Sequence, residues 1–160
     1  MTLHGAPLRL PGVSPRGIID LELAGIPTQV TTIFTAWGKD LMQRAVVNTY
    51  IDFFFLICYG LFLFGLVRAV ANWFAGWWRL AGKWLGVAML VAAGLDAIEN
   101  ILMFKMLNGS IGKELVASTY MFASVKFILV FAGLVYILLS LVAKVLKLDR
   151  PTNDSISEAL

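Results

Sequence analysis

Two acids and an amide lie in a stretch of this chain that is otherwise almost wholly apolar. Asp96, Glu99 and Asn100 fall between Trp84 and Leu107, and spacings of three and four residues place them on one face of a helix. Ionisable side chains inside a membrane-spanning helix are costly, and they persist where they are paired, hydrated or used. The cluster therefore predicts a polar intramembrane site for a proton, a cation, or the polar part of a lipid or small ligand.

Two other apolar stretches supply polar residues that can meet this cluster. Asn48 and Asp52 are four residues apart and share a helical face, and Tyr59 continues the same stripe. Lys126 is the only base deep inside the last apolar stretch. It belongs to a series of small and polar residues that occur every seven positions. Such repeats are typical of helix contacts inside lipid. The members of that repeat are Thr119, Lys126, Gly133 and Ser140.

The composition indicates which elements hold these residues. The chain has 160 residues, of which 59% are hydrophobic and 14% charged, with a mean hydropathy of +0.82. Soluble domains are about 45–50% apolar and about 25% charged. A membrane-crossing helix needs about 20 mostly apolar residues. Three runs meet that length, and they predict an all-α integral membrane bundle of three transmembrane helices over residues 45–70, 85–107 and 115–145.

The rest of the chain divides by composition into tails and an interfacial segment. Prolines at 7, 11 and 15 favour an extended path at the N-terminus. In residues 18–26 apolar residues are interleaved with two acids, and in residues 30–37 apolar residues recur at helical spacing. Both patterns are typical of amphipathic helices at a membrane surface. Residues 27–38 have an alternative, which is to enter the bilayer as a fourth, incomplete helix. The predicted organisation is an extended tail over 1–13, an amphipathic interfacial segment over 14–44, the bundle over 45–145 and a polar tail over 146–160.

The connections between the spans indicate how the helices run. The segment 71–84 combines four tryptophans with Arg79 and Lys83, which is the composition of a headgroup-level belt. The segment 108–112 holds two glycines and predicts a tight turn. Three antiparallel spans then place the start of the first, the end of the second and the start of the third on one side. The residues predicted to meet in that half of the bilayer are Asp52, Asp96, Glu99, Asn100 and Lys126. Asn48, on the same face as Asp52, is the sixth candidate site residue, with a hydrogen bond between helices as its alternative role.

Three functional hypotheses follow from this grouping. The first is a binding or translocation module, because three acids face one deep base and acids without a partner at low dielectric are expected to take up protons. The second is an accessory subunit of a larger membrane complex, in which the polar groups seal helix contacts. An ion pair of Lys126 with Asp96 or Glu99 that only fixes helix register is the structural alternative to a site. The third is a lipid-modifying enzyme, and it is least favoured because no nucleophile or oxyanion arrangement can be named for it.

Several classes of partner are excluded or favoured by residue types. Cys58 is the single cysteine and His4 the single histidine, so only an all-oxygen metal site is compatible with the spans. We expect no cofactor. The net charge of +3 comes from basic residues that flank apolar runs, which favours contact with lipid headgroups over nucleic acid. The expected partners are membrane lipids, a membrane protein or a second copy, in a cell membrane of the bacterial inner-membrane type.

Overall fold

The computed structural model describes residues 5–146, and every regular element in that range is helical. Within those residues the only strand-like pairing is an isolated antiparallel bridge between Leu10 and Ser14. The three longest helices are each apolar enough to cross a membrane. The all-helical prediction is confirmed, as are three apolar helices of spanning length. The elements are a short 3₁₀ helix at Ala6–Leu8, followed by α1 (Ile18–Glu22), α2 (Pro27–Ala71), α3 (Gly76–Leu107) and α4 (Lys113–Val145).

The outer surface of the three long helices is apolar. Large side chains such as Phe54, Ile128 and Phe131 are exposed, and at most a third of the most hydrophobic stretch of each helix is buried inside the protein. Soluble proteins rarely expose apolar patches of this extent. The exposed surface is therefore of the kind that hydrocarbon chains cover.

Helix α3 is the centre of the bundle. It packs along both α2 and α4, whereas α2 and α4 contact each other less extensively. The connections of four residues (72–75) and five residues (108–112) make successive helices antiparallel neighbours. Two of the close approaches use glycine. A Cβ atom at Gly60 would lie 2.7 Å from the Cβ of Ala93, and one at Gly133 would lie 2.6 Å from the sulfur of Met89.

The seven-residue repeat on the last helix faces the bundle interior, as the sequence predicts. All of its members are buried, and so is a matching stripe on α3. Small residues let helix backbones approach, and buried hydroxyls are satisfied by neighbours. Ser140, for example, accepts a hydrogen bond of 2.9 Å from the indole of Trp78. The buried members are Thr119, Lys126, Gly133 and Ser140 on α4, and Gly86, Ala93 and Asn100 on α3.

Substitution at Gly60 tests the packing of α2 against α3. Gly60→Leu is expected to lower the free energy of unfolding by about 1–3 kcal/mol, because the added atoms meet Ala93 with no room to move. Gly65 lies on the same helix and is exposed, and a Cβ atom at this position would have no neighbour within 4 Å. Gly65→Leu is therefore the matched control and should cost nothing. Denaturant unfolding in detergent measures both, and equal losses would contradict the close approach.

The helices extend beyond the predicted spans. Helix α3 begins at Gly76 rather than near residue 85, so most of the tryptophan-rich segment is helical and the connection is short. One tryptophan of this segment packs inward. The ring of Trp78 stacks on Tyr136 with centroids 5.1 Å apart, and the Tyr136 hydroxyl donates to the Trp78 carbonyl at 3.0 Å. This part of the predicted belt therefore joins α3 to α4.

The N-terminal segment, residues 5–24, packs onto the bundle. An extended tail was predicted for residues 1–13, but residues 5–13 form a 3₁₀ helix and a turn. The physical reason is burial, because the Leu8 side chain is fully enclosed and its carbonyl accepts a 3.1 Å hydrogen bond from the Trp37 indole. Ser14 strengthens this junction, since its hydroxyl donates to the same carbonyl and accepts from the same indole. Residues 1–4 lie outside the described range.

The core beneath the N-terminal segment joins it to all three long helices. Leu8, Leu21 and Trp37 pack in one buried cluster with Met103 of α3 and Val116 of α4. This cluster lies at the end of the bundle where α3 turns into α4. It is the same end at which the predicted polar residues gather, so the segment is positioned to cover them.

Helix α2 is interrupted by one residue. Gly38 has φ 58° and ψ −173°, a conformation that side chains with a Cβ adopt only with strain. The break separates the part from Pro27 to Trp37 from the long apolar part that follows. Residues 27–37 are thus a helical part of their own that leads directly into the first long apolar part. The interfacial position of 14–44 stays a prediction. The predicted polar tail over 146–160 lies, apart from Leu146, outside the described residues.

Candidate functional site

A single lysine at the contact between α3 and α4 contacts three carboxylates. The Nζ atom of Lys126 lies 2.6 Å from Asp96 Oδ1, 2.8 Å from Glu99 Oε2 and 3.3 Å from Glu22 Oε2. Lys126 donates hydrogen bonds to Asp96 and Glu22, and its contact with Glu99 is an ion pair. Lys126 is 6% exposed and Glu99 is fully buried. The group is therefore an ion cluster enclosed by protein.

Helix geometry explains why these groups meet. Asp96 and Glu99 are three residues apart on α3 and point the same way, toward α4. Lys126 belongs to the buried repeat on α4, and that repeat faces α3. The sequence predicted that these three residues share one half of the bilayer, and the structure brings them into direct contact.

A second layer of contacts links α2 to the ion cluster. Asn100 Nδ2 donates to Asp52 Oδ2 at 2.8 Å, and the Tyr59 hydroxyl donates to Asp96 Oδ2 at 2.8 Å. Asp96 thus accepts from both Tyr59 and Lys126, one on each of its oxygens. Asp52 and Asn100 were predicted to meet the cluster, and they do so as a hydrogen-bonded pair beside it.

Asn48 is the predicted residue that stands apart. Its side chain is 3% exposed and lines the cavity next to the cluster. It makes no hydrogen bond to another residue in the 5–146 range. All six residues predicted from the sequence therefore lie at one end of the bundle, five in direct polar contacts and Asn48 facing the cavity.

Glu22 is a member of the cluster that sequence reasoning missed. It lies at the end of α1, where it is 8% exposed, and it reaches Lys126 across 104 positions of the chain. No spacing rule relates an isolated acid in an N-terminal segment to a lysine on the last helix. The three predicted acids already outnumbered the one base, so the charge count gave no reason to seek a fourth.

The carboxyl of Glu22 is harder to ionise in this position. Burial is the largest cause that raises its pKa, and the nearby carboxylates of Asp96 and Asp52 raise it further. Lys126 opposes this through its charge and its hydrogen bond. Because the pKa of Glu22 is raised in the folded state, the contribution of its neutral carboxyl to stability is present at low pH. That contribution is lost as pH rises through the raised pKa.

Glu22→Gln tests this pH dependence. In the natural chain, the attachment of the N-terminal segment should weaken as pH rises above 4.5, the ordinary value for glutamate. The substitution should remove that part of the pH dependence, whereas Glu114→Gln, at an exposed acid on α4, should leave it unchanged. The rate of tryptic cleavage after Arg16 at each pH measures the attachment. Identical pH profiles for the natural chain and Glu22→Gln would contradict the prediction.

A cavity of about 530 Å³ adjoins the cluster. Its polar wall includes Glu22, Asp52, Asp96 and Lys126, and its apolar wall includes three phenylalanines from α2 and α4. The volume lies within the range of about 300–1,000 Å³ found for small-molecule sites. The apolar lining residues are Gly5, Ala6, Ile18, Ile19, Phe55, Phe62, Leu63, Phe127 and Val130.

The described residues offer no ready metal centre. Among residues 5–146, no three His, Cys, Asp or Glu side chains converge as metal ligands. The acids are held apart by Lys126, which takes one oxygen from each of three of them. The arrangement is better suited to an organic cation or a proton than to a chelated metal.

Comparison with known proteins gives no family for the chain. No family model matches it, and neither the curated proteins nor the solved structures contain a significant match.

Proposed function

We propose that this chain is a multi-pass membrane protein that binds a cationic or proton-donating group at its intramembrane acidic site. The observation that carries the proposal is the excess of acids next to a cavity. Glu22, Asp96 and Glu99 contact Lys126, and Asp52 lines the same cavity beside them. Charged groups inside a membrane protein are costly and mark binding or transport sites. The excess negative charge is best neutralised by a bound positive group or by protons.

The hydrogen-bond inventory supports the same proposal. Oε1 of Glu99 and Oδ1 of Asn100 are buried and have no donor within the described part of the chain. Each buried acceptor left without a donor costs about 1–3 kcal/mol. The cluster is therefore short of donors as well as positive charge. Because neither Glu99 nor Asn100 lines the cavity, the donor that suits these two atoms is a proton rather than a larger ligand.

Ligand-dependent stabilisation tests this proposal. A ligand that binds only the folded state raises its stability by about 2.7 kcal/mol at a hundred times its Kd. Sodium, calcium, methylammonium and dodecylammonium are added to the purified protein in lipid nanodiscs, and thermal unfolding is followed. At least one of these cations is expected to stabilise the natural chain.

Two matched acids on α2 provide the variant and its control. Asp52 lines the cavity, whereas Asp40 is exposed. Asp52→Asn is expected to lose most of the stabilisation, and Asp40→Asn to retain it. If no cation distinguishes the two variants, the proposed binding site is wrong.

A further inference from the structure

We propose that the cavity takes a single-chain amphiphile with a primary ammonium head, which reaches it sideways from the bilayer between α2 and α4. This inference rests on the proposed function and names the class of ligand. The ammonium head of this ligand lies between Asn48, Asp52 and Glu22, and its hydrocarbon tail lies along the aromatic wall of the cavity.

The polarity of the cavity changes along α2. Its lining residues on this helix are Asn48, Asp52, Phe55, Tyr59, Phe62 and Leu63. The first five are at spacings of four and three, which keep them on one face. At about 1.5 Å per residue they span roughly 21 Å. The face is polar at the end covered by the N-terminal segment and mainly aromatic farther along. A molecule that matches it has a polar head and an apolar chain.

The apolar part of the cavity opens toward lipid. Phe62 lines the cavity and is 66% exposed on the outer surface. Phe55 and Phe127 also line the cavity and are also exposed on the outer surface. These residues come from α2 and α4, the pair of long helices with the smaller contact. An acyl-like chain can thus lie in the opening while its end stays among the lipid chains.

The polar part requires hydrogen-bond donors. Asn48 is 3% exposed, faces the cavity and has no hydrogen-bond partner in the described range. Asp52 uses Oδ2 to accept from Asn100, and Glu22 uses Oε2 to accept from Lys126. The amide oxygen of Asn48 and the second carboxylate oxygens are acceptors. A primary ammonium supplies three donors and no acceptor, so it complements this group.

The order of groups along the cavity favours a ligand whose amine is attached directly to its hydrocarbon tail. In a phospholipid the phosphate lies between the chains and any amine, and here it would meet Asp52, Asp96 and Glu22 where the aromatic wall ends. Three basic residues line the cavity. Lys126 is already paired with three carboxylates, and Arg9 and Arg16 are exposed. Arg16 is moreover paired with Asp20, outside the cavity lining, at 2.8 Å. A long-chain amine avoids the repulsion between phosphate and carboxylates.

The test compares ligands that differ in one part. Dodecylammonium, methylammonium and dodecanol are titrated into the protein in phosphatidylcholine nanodiscs at pH 7, and thermal stabilisation and bound equivalents by native mass spectrometry are measured. Val130→Trp fills the apolar half of the cavity, and Ile128→Trp adds the same side chain to the lipid-facing surface of α4 as a control. Circular dichroism shows that each variant keeps its helices.

The expected result is one equivalent of dodecylammonium, bound at least tenfold more tightly than methylammonium or dodecanol. Val130→Trp and Asp52→Asn should each weaken the binding of dodecylammonium at least tenfold, and Ile128→Trp should leave this binding unchanged. Equal binding of methylammonium and dodecylammonium, lost in Asp52→Asn, would overturn the amphiphile while the acidic site stands. Equal binding of dodecylammonium to Val130→Trp and the natural chain would likewise overturn the amphiphile. Binding that is unchanged in Asp52→Asn would overturn both proposals.

Discussion

Lys126→Met is expected to lower the free energy of unfolding by about 3–5 kcal/mol, a large share of the stability of a domain of this size. Removing one partner of a buried ion pair leaves an uncompensated charge, and here three carboxylates lose the same partner. The acids would have to take up protons or admit water, and both loosen the contact between α3 and α4. Unfolding by denaturant in detergent measures the loss.

Lys144→Met is the matched control, because Lys144 lies on the same helix and is exposed. It should change stability by no more than about 0.5 kcal/mol. A loss for Lys126→Met no larger than that of the control would show that the four charged groups do not form the enclosed cluster described above.

Trp37→Ala should detach the N-terminal segment and cost about 3–5 kcal/mol, the usual range for removing a buried tryptophan. Trp37 is 3% exposed, and its indole donates to Leu8 and Ser14. Without it, that carbonyl and hydroxyl lose their shared donor and the core beneath the segment is left with a void. Because Glu22 is carried by the same segment, it should leave Lys126 when the segment detaches.

Trypsin reports this detachment directly, since Arg9 and Arg16 lie in the segment and are exposed. Cleavage at these residues should accelerate in Trp37→Ala, while the long helices stay resistant. Trp77→Ala is the control, because Trp77 is 73% exposed. Equal cleavage rates in the two variants would mean that Trp37 does not hold the segment.

The sequence predicts the parts of the site that depend on helical periodicity. Asp96 and Glu99 share a face because of their spacing, and Lys126 faces them because it belongs to a buried repeat. Alternating helix direction then places these residues at one end of the bundle. These inferences use only the 3.6-residue period and the length of the spans, and the contacts of Lys126 agree with them.

The parts that the sequence does not predict depend on tertiary contacts of the N-terminal segment. Glu22 reaches Lys126 only because Leu8 and Leu21 pack beneath the segment. Prolines in residues 1–13 favour an extended chain locally, but burial of Leu8 prevails over that preference. Local rules cannot anticipate these outcomes because the deciding contacts are distant in sequence.

The central proposal is that the intramembrane acidic site binds a cationic ligand, and native mass spectrometry of protein extracted gently from its own membrane tests it most directly. The natural chain and Asp40→Asn are predicted to carry a small amine-bearing molecule that Asp52→Asn lacks. Other polypeptides bound in fixed ratio, with no small molecule that depends on Asp52, would contradict the proposal and would favour an accessory subunit whose acidic cluster seals helix contacts.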